Sequence, residues 1–320
     1  MEKQAKKILV CPLNWGLGHA SRCVPIIHSE LEKGNEVVVA ADGFPLRMLK
    51  QEFPMLRFLE LPSYPIRYSK GKSQFFAMLR FIPSLIKGIV SEHKWLNRLL
   101  ETEHFDQIIS DNRFGMWHRR VHSVYITHQL MIKMPKWLKL MEYPAHLLHK
   151  SIIRQYDECL IPDYAAEGGL SGDLSHKYKL PTNARFIGPL SRFSSFPEEE
   201  INIACFDNLV ILSGVEPQRS IFENQMITKY QHAEEKTIII RGLPEESVSV
   251  VKVGQVEMHS HASTATLAFL MKSCRTIISR SGYSSIMDMD VLRVLKKAQF
   301  HPTPGQTEQE YLAVYLSKKK

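Results

Sequence analysis

The chain has 320 residues, too many for one ordinary core, so two domains are expected. A hydrophobic content of 44% with 23% charged residues excludes extensive disorder, and a net charge of +8 suits phosphorylated small molecules, anionic lipid or nucleic acid. Five scattered cysteines without a CxxC pair argue against a disulfide framework or zinc knuckle and point to a reducing, cytoplasmic setting.

The first apolar run is short and ends in a glycine-containing loop, which predicts a buried strand rather than a signal peptide. Short apolar runs then alternate with helical patterns, the mark of βα units and a parallel sheet. Strands are expected at Lys7–Cys11, Glu36–Ala40, Arg57–Leu61, Gln107–Ser110, Val124–Thr127 and Glu158–Ile161. Helices are expected at His19–Glu32, Pro45–Gln51, Gln74–Glu101 with a break at Pro83, and Trp137–Gln155. In the second half, strands are expected at Asn208–Leu212, Thr237–Arg241, Val248–Val251 and Arg275–Ser279. The accompanying helices are Arg219–Gln231, Ala262–Lys272, Gly282–Leu292 and Thr307–Ser317. Residues 188–203, rich in Gly, Pro, Ser and charge, read as the linker between domains 1–190 and 203–320. The longest apolar region, Phe75–Val90, is broken by Arg80, Pro83 and Lys87 and falls short of the roughly 20 residues that span a bilayer, so a soluble or peripheral protein is expected.

Four turns carry candidate chemistry. Gly16 and Gly18 lie between a predicted strand and helix, where the backbone can approach a ligand and the helix start favours anions. His19 sits at the sheet edge where α/β folds bind ligands, and its pKa range suits a general base, although packing or capping is the ordinary role of a lone histidine. A nicotinamide-binding reading, with Asp42 as the ribose acid, is weakened by Cys23 near the position of a third glycine. In Ser279–Ser285, helix-start amides with Ser284 and Ser285 can cradle a diphosphate and Asp288 can accept from ribose hydroxyls, while helix capping is the plainer role. Pro302–Glu310 delivers Glu308 and Gln309 to a helix start, a pair suited to sugar hydroxyls, although Thr307 and Glu310 also spell a capping box. Ser213–Arg219 follows the first strand of the second half, and Arg219 there can meet a phosphate.

Asp111, Asn112 and His128 follow predicted strands and are expected to contact an acceptor or assist His19, with loop capping as the alternative. Asp288 and Asp290 form a D-x-D, but helical spacing turns them about 200° apart and disfavours a shared metal ion. His259 and His261 suggest a metal pair, but no carboxylate or cysteine is read close to them in sequence, which disfavours a metal site.

Taken together, GLGHASR (16–22), SGVEPQR (213–219), SRSGYSSIMD (279–288) and PTPGQTEQEYLA (302–313) resemble a group of predicted glycosyltransferases. These are similar to the peptidoglycan lipid-intermediate N-acetylglucosaminyltransferase of glycosyltransferase family 28, with the GT-B fold. The resemblance spans essentially the whole chain. It implies an α/β protein of two Rossmann-like domains facing a cleft, with the acceptor mainly on the first and a UDP-sugar mainly on the second. His19 would be the base, with Gly16 and Gly18 in the acceptor-side loop. Ser281, Gly282, Tyr283, Ser284 and Ser285 would hold the donor diphosphate, Asp288 the ribose, and Glu308 with Gln309 the sugar. Ser213, Gly214, Glu216 and Arg219 would form the first donor loop. Two departures stand out: Met289–Lys296 lacks the glycine relatives carry after this helix, and the sequence stops seven residues after Ala313, short of helices that cross back to the first domain.

The expected activity is transfer of a hexosyl or N-acetylhexosaminyl unit from a UDP-sugar to a hydroxyl of a lipid-linked or cell-envelope glycan, with neither metal nor other cofactor. A nucleotide-sugar epimerase and a non-catalytic nucleotide-sugar binding protein share the motifs. Nucleic acid is not expected as a partner, since the basic residues form no recognised motif. Residues 67–87 are basic and amphipathic, with Arg67, Lys70, Lys72, Arg80 and Lys87 and no acid, and can lie on an anionic membrane surface, with Trp137 and its neighbouring lysines extending the patch; a core-facing helix with a solvated basic face is the alternative.

Overall fold

The computed structural model describes residues 4–62, 74–166, 168–194, 196, 205–243 and 249–319, with side chains in the 74–102 helix described from residue 82 onward. The chain forms two compact units, the body of the first ending at Leu190 and that of the second covering Ser191–Lys320.

The first unit holds a seven-stranded parallel sheet in the order β3-β2-β1-β4-β5-β6-β7. Its strands are β1 (Lys7–Pro12), β2 (Glu36–Ala41), β3 (Arg57–Glu60), β4 (Gln107–Asp111), β5 (His122–Ile126), β6 (Glu158–Ile161) and β7 (Ala184–Phe186). Helices α1 (Leu17–Glu32), α2 (Gly43–Glu52), α3 (Gln74–Thr102), α4 (Glu142–Ile153) and the single turn α5 (Asp173–His176) connect them. The central strands are apolar at successive positions because helices cover both faces of a parallel sheet. Leu9, Val38 and Ile108 pack against Leu96 of α3 and Phe105. The strand order reverses between β1 and β4, so the loops after these two strands flank the crevice where open α/β sheets place ligands.

The second unit has a six-stranded sheet in the order β10-β11-β9-β8-β12-β13. Its strands are β8 (Phe206–Ile211), β9 (Thr237–Ile240), β10 (Val250–Val253), β11 (Val256–His259), β12 (Cys274–Ser279) and β13 (Ala298–Phe300). Its helices are α6 (Gln218–Tyr230), α7 (Thr264–Ser273), α8 (Tyr283–Val291) and α9 (Thr307–Lys319). Adjacent residues of one strand serve opposite faces: Leu209 and Ile277 meet Met271 and Met289, whereas Val210 and Ile278 meet Phe222 and Met226. Here the order reverses at β8 and β12, which brings the starts of α6 and α8 to the same sheet edge.

Ten of the strands coincide with expectation to within two residues, and the differences have local causes. Strands β7, β11 and β13 are three or four residues long and carry little periodic signal. β10 lies later than expected because it pairs antiparallel with β11 through the two-residue turn Gly254–Gln255. Gly254 has φ +58°, and a Cβ there would lie 2.0 Å from the Gln231 carbonyl oxygen, so only glycine fits. The helix expected over Trp137–Gln155 is instead a 3-10 turn, Lys136–Met141, followed by α4. Pro144 has no N–H for the carbonyl of Leu140, so an α ladder cannot run through. The break expected at Pro83 does not occur: α3 continues across it, with Pro83 exposed where water can meet the unpaired carbonyl.

A buried ionic group fixes the first unit. Arg113 donates through Nε to the Pro12 carbonyl at 2.7 Å and through Nη1 to Glu92 at 2.6 Å, while Nη2 binds Asp42. Asn14 Nδ2 donates to the other Asp42 oxygen at 2.8 Å. This occupation of Asp42 overturns the nicotinamide reading, which needed that carboxylate for a ribose. Replacing Arg113 by Met strands two buried carboxylates and is expected to cost about 3–5 kcal/mol in urea unfolding. A loss below about 1 kcal/mol contradicts the assignment.

Candidate functional site

Asp111 is the last residue of β4, at the edge where the first sheet reverses, and it is fully buried. Its Oδ1 lies 2.9 Å from His19 Nδ1 and its Oδ2 accepts from Arg22 Nε at 2.5 Å, with Arg22 Nη2 also on Oδ1. His19 and Arg22 are one turn apart on α1 and so share a face. Arg22 Nη1 lies 3.2 Å from Nδ1 of His128, which follows β5 and is buried. His19, Asp111 and His128 are thus joined, and the element joining them is Arg22, a fully buried residue that sequence reasoning passed over within its own quoted motif. Its signal was the i, i+3 spacing from His19.

Burial raises the Asp111 carboxyl, but Arg22 and His19 outweigh it and hold the group at about 2. Burial and the Arg22 charge push the His19 imidazole below its ordinary value, against the pull of Asp111. Arg22 Nη2 also lies 2.8 Å from His19 Nδ1, and two donors cannot share that nitrogen. Arg22 Nη2 is also committed to Asp111 Oδ1, and an ionised carboxylate only accepts, so we assign the proton of the neutral ring to Nδ1, facing Asp111, which leaves Nε2 as the basic nitrogen. Asp111 cannot reach a substrate, which removes the acceptor-contact role expected of it. Asn112, at φ 55°, accepts from Tyr125 Oη at 2.9 Å. Gly16, at φ +82°, immediately precedes α1, and Gly18 lies in its first turn.

In the second unit the structure corrects several roles. Arg219 donates to Glu216 at 2.7 Å, to Glu223 at 2.5 Å and to Ser220 Oγ at 2.9 Å, so its guanidinium braces the loop and is not available to a phosphate. Glu216 in turn accepts from the Ser220 amide and hydroxyl. Ser213 is half-buried, and Gly214 is exposed at φ +100°. Ser281 is buried and donates to the Gln309 carbonyl at 2.8 Å, which ties the α8 start to α9, while the Gln309 side chain accepts from Thr303 N at 2.9 Å and is spent on the turn before α9. Arg280, buried over the Phe222 ring, donates to the carbonyls of His301 and Pro302 and fixes the same turn. The cap of α8 is Gly282, which supplies no side-chain hydrogen bond, so serine capping is not what this motif does. Tyr283 is buried, and Ser284, Ser285 and Glu308 are half-buried. Asp288 accepts from Ser191 Oγ at 2.6 Å, and burial pushes its carboxyl up to about 6 against the pull of Arg192. His259 is bound to Glu257 at 2.7 Å, a nearby carboxylate the sequence reading overlooked. Among the described residues, no three His, Cys, Asp or Glu side chains converge as a metal site.

Of the basic stretch 67–87, residues 67–73 lie outside the described residues, as does the Arg80 side chain; Ile82, Ile86 and Lys87 are exposed. Among the described residues no helix is long and apolar enough to cross a membrane.

No protein-family model matches the sequence, and neither does any curated protein. Solved structures do match over nearly the full chain. A glycotransferase of kitacinnamycin superposes with TM-score 0.61 at 12% identity, covering 98% of this chain and 85% of that one. CalG4, the calicheamicin glycosyltransferase, gives TM-score 0.61 at 10% identity over 98% and 84%. Arabidopsis thaliana UGT89C1 complexed with UDP-L-rhamnose gives 0.57 at 13% identity over 98% and 84%. The chain has the GT-B fold of these proteins, two Rossmann-like units each built on a predominantly parallel sheet.

The Asp111 clamp has a pH signature. A carboxyl held below its ordinary value contributes stability that is complete above that value, 3.8, and is lost as pH falls toward about 2. Asp111→Asn is therefore expected to lower stability at neutral pH and to flatten the loss of unfolding free energy in that acid window. Parallel acid limbs for the two proteins in urea unfolding contradict it.

Proposed function

We propose that the protein is a glycosyltransferase that moves a hexosyl or N-acetylhexosaminyl unit from a UDP-sugar to a hydroxyl of a lipid-linked or cell-envelope glycan. The observation that carries this reading is the His19–Asp111 pair at the reversal point of the first sheet, in a chain with the GT-B fold. His19 Nε2 takes the proton of the acceptor hydroxyl as that oxygen attacks the anomeric carbon. The bond from that carbon to the diphosphate oxygen breaks, and UDP departs with the electron pair. Asp111 holds the imidazole in the required tautomer and stabilises the imidazolium that forms.

The donor diphosphate is assigned to the start of α8, where the helix dipole and first-turn amides favour an anion and Ser284 and Ser285 add hydroxyls. Gly214 and Ser213 border the same sheet edge, and Arg219 supports that loop from behind. Asp288 is assigned to the ribose, and Glu308 to the transferred sugar, with Gln309 holding the turn that presents it. The reaction so drawn needs no metal ion. CalG4 is a calicheamicin glycosyltransferase and UGT89C1 is complexed with UDP-L-rhamnose, which supports the reaction class and a uridine donor rather than a lipid-linked or cell-envelope acceptor.

His19→Ala is expected to lower kcat by roughly a hundredfold to ten-thousandfold while leaving donor binding intact. Thermal shifts with UDP-, GDP-, dTDP- and ADP-sugars read that binding directly, and selective stabilisation by UDP-sugars is expected for both wild type and variant. Unchanged turnover in the variant removes His19 from the chemistry. Sugar released from UDP-sugar as a free epimer, with no acceptor present, replaces transfer by epimerisation.

A further inference from the structure

Helix α4 is inverted. Its buried positions are Glu142, His146, His149 and Ile153, three of them polar, whereas Tyr143, Leu147 and Leu148 face outward. Helices on globular proteins bury their apolar stripe, so this polarity runs against the rule. The inward polar groups have partners that make the inversion stable. Glu142 accepts from Lys177 Nζ at 2.8 Å, His146 Nδ1 lies 3.0 Å from the Leu130 carbonyl, and His149 Nε2 lies 3.2 Å from Tyr125 Oη. The preceding 3-10 turn continues the exposed apolar surface, with Trp137 64% and Leu140 92% exposed.

Charge decides what this face meets. Between residues 133 and 154 the basic side chains are Lys133, Lys136, Lys139, Lys150 and Arg154, and the single acid, Glu142, is turned inward. Lys136 and Lys139 alternate with Trp137 and Leu140 and are themselves exposed. Protein–protein interfaces are depleted in lysine, whereas lysine stems beside tryptophan and tyrosine suit the boundary between lipid headgroups and acyl chains. We propose that the segment 136–148 is a membrane-docking element that inserts its outward apolar side chains into an anionic lipid surface. This inference stands on exposure and charge and is independent of the transfer reaction.

The experiment is co-sedimentation of the full chain with vesicles of phosphatidylcholine alone or mixed with phosphatidylglycerol. Wild type is expected in the pellet with the anionic vesicles, released by salt at about 1 M. The triple variant Leu140→Ser, Leu147→Ser, Leu148→Ser is expected to partition roughly tenfold or more weakly. Lys136→Glu with Lys139→Glu is the second handle and is expected to abolish the preference for phosphatidylglycerol. Both variants change outward side chains only, and their UDP-sugar thermal shifts, compared with wild type, separate this test from the fate of the transferase reading. Wild type remaining in the supernatant with both vesicles overturns the proposal. So does pelleting of the leucine variant as wild type, or a wild-type dimer that this variant converts to monomer without vesicle binding, which makes the face a contact between copies.

Discussion

Asp111 has no exposed surface, and its two oxygens are divided between the Arg22 guanidinium and the His19 ring. A carboxylate in that position is tolerable only if it is paired, because an isolated buried charge costs far more than its neighbours could return. The pairing ties the first turns of α1 to the end of β4 and thereby fixes the loop that joins β1 to α1. Arg22 both anchors the carboxylate and keeps positive charge beside the imidazole, which favours its neutral form. A single arrangement therefore sets position, tautomer and protonation of the one residue assigned to the chemistry.

The second unit follows a different logic. Its conspicuous charged side chains are consumed internally: Arg219 by Glu216 and Glu223, Arg280 by the carbonyls of the turn before α9. These contacts shape loops at the carboxyl edge of the sheet, so the proposed donor site rests its anion binding on the backbone at the α8 start. That division is economical in physical terms, since helix-start amides need no reorganisation when a charged group arrives.

The sequence made the repeating βα order and the two-unit plan readable because both rest on long apolar runs with clear periodicity. Short strands such as Ala184–Phe186 carried too few residues for a period to show, and the Gly254 turn was legible only as a hairpin signal that went unused. At the site, the positions of His19 and Asp111 at strand and helix ends followed from the pattern, but their union did not, because pairing across 92 residues depends on which strands lie side by side. The expected role of Arg219 failed for a related reason: acids at spacings of three and four along its own chain captured it first. Inversion of α4 was equally hidden, since helical periodicity gives the apolar stripe and not the direction it faces.

The central claim is that Asp111 holds His19 as a neutral ring with its proton on Nδ1. Long-range nitrogen–proton NMR correlation on histidine-labelled protein reads both tautomer and titration for that ring. The account predicts the Nδ1–H form near neutral pH, with a midpoint below that of an ordinary histidine and a shift of tautomer balance in Asp111→Asn. A ring carrying its proton on Nε2, or one already doubly protonated at neutral pH, contradicts it.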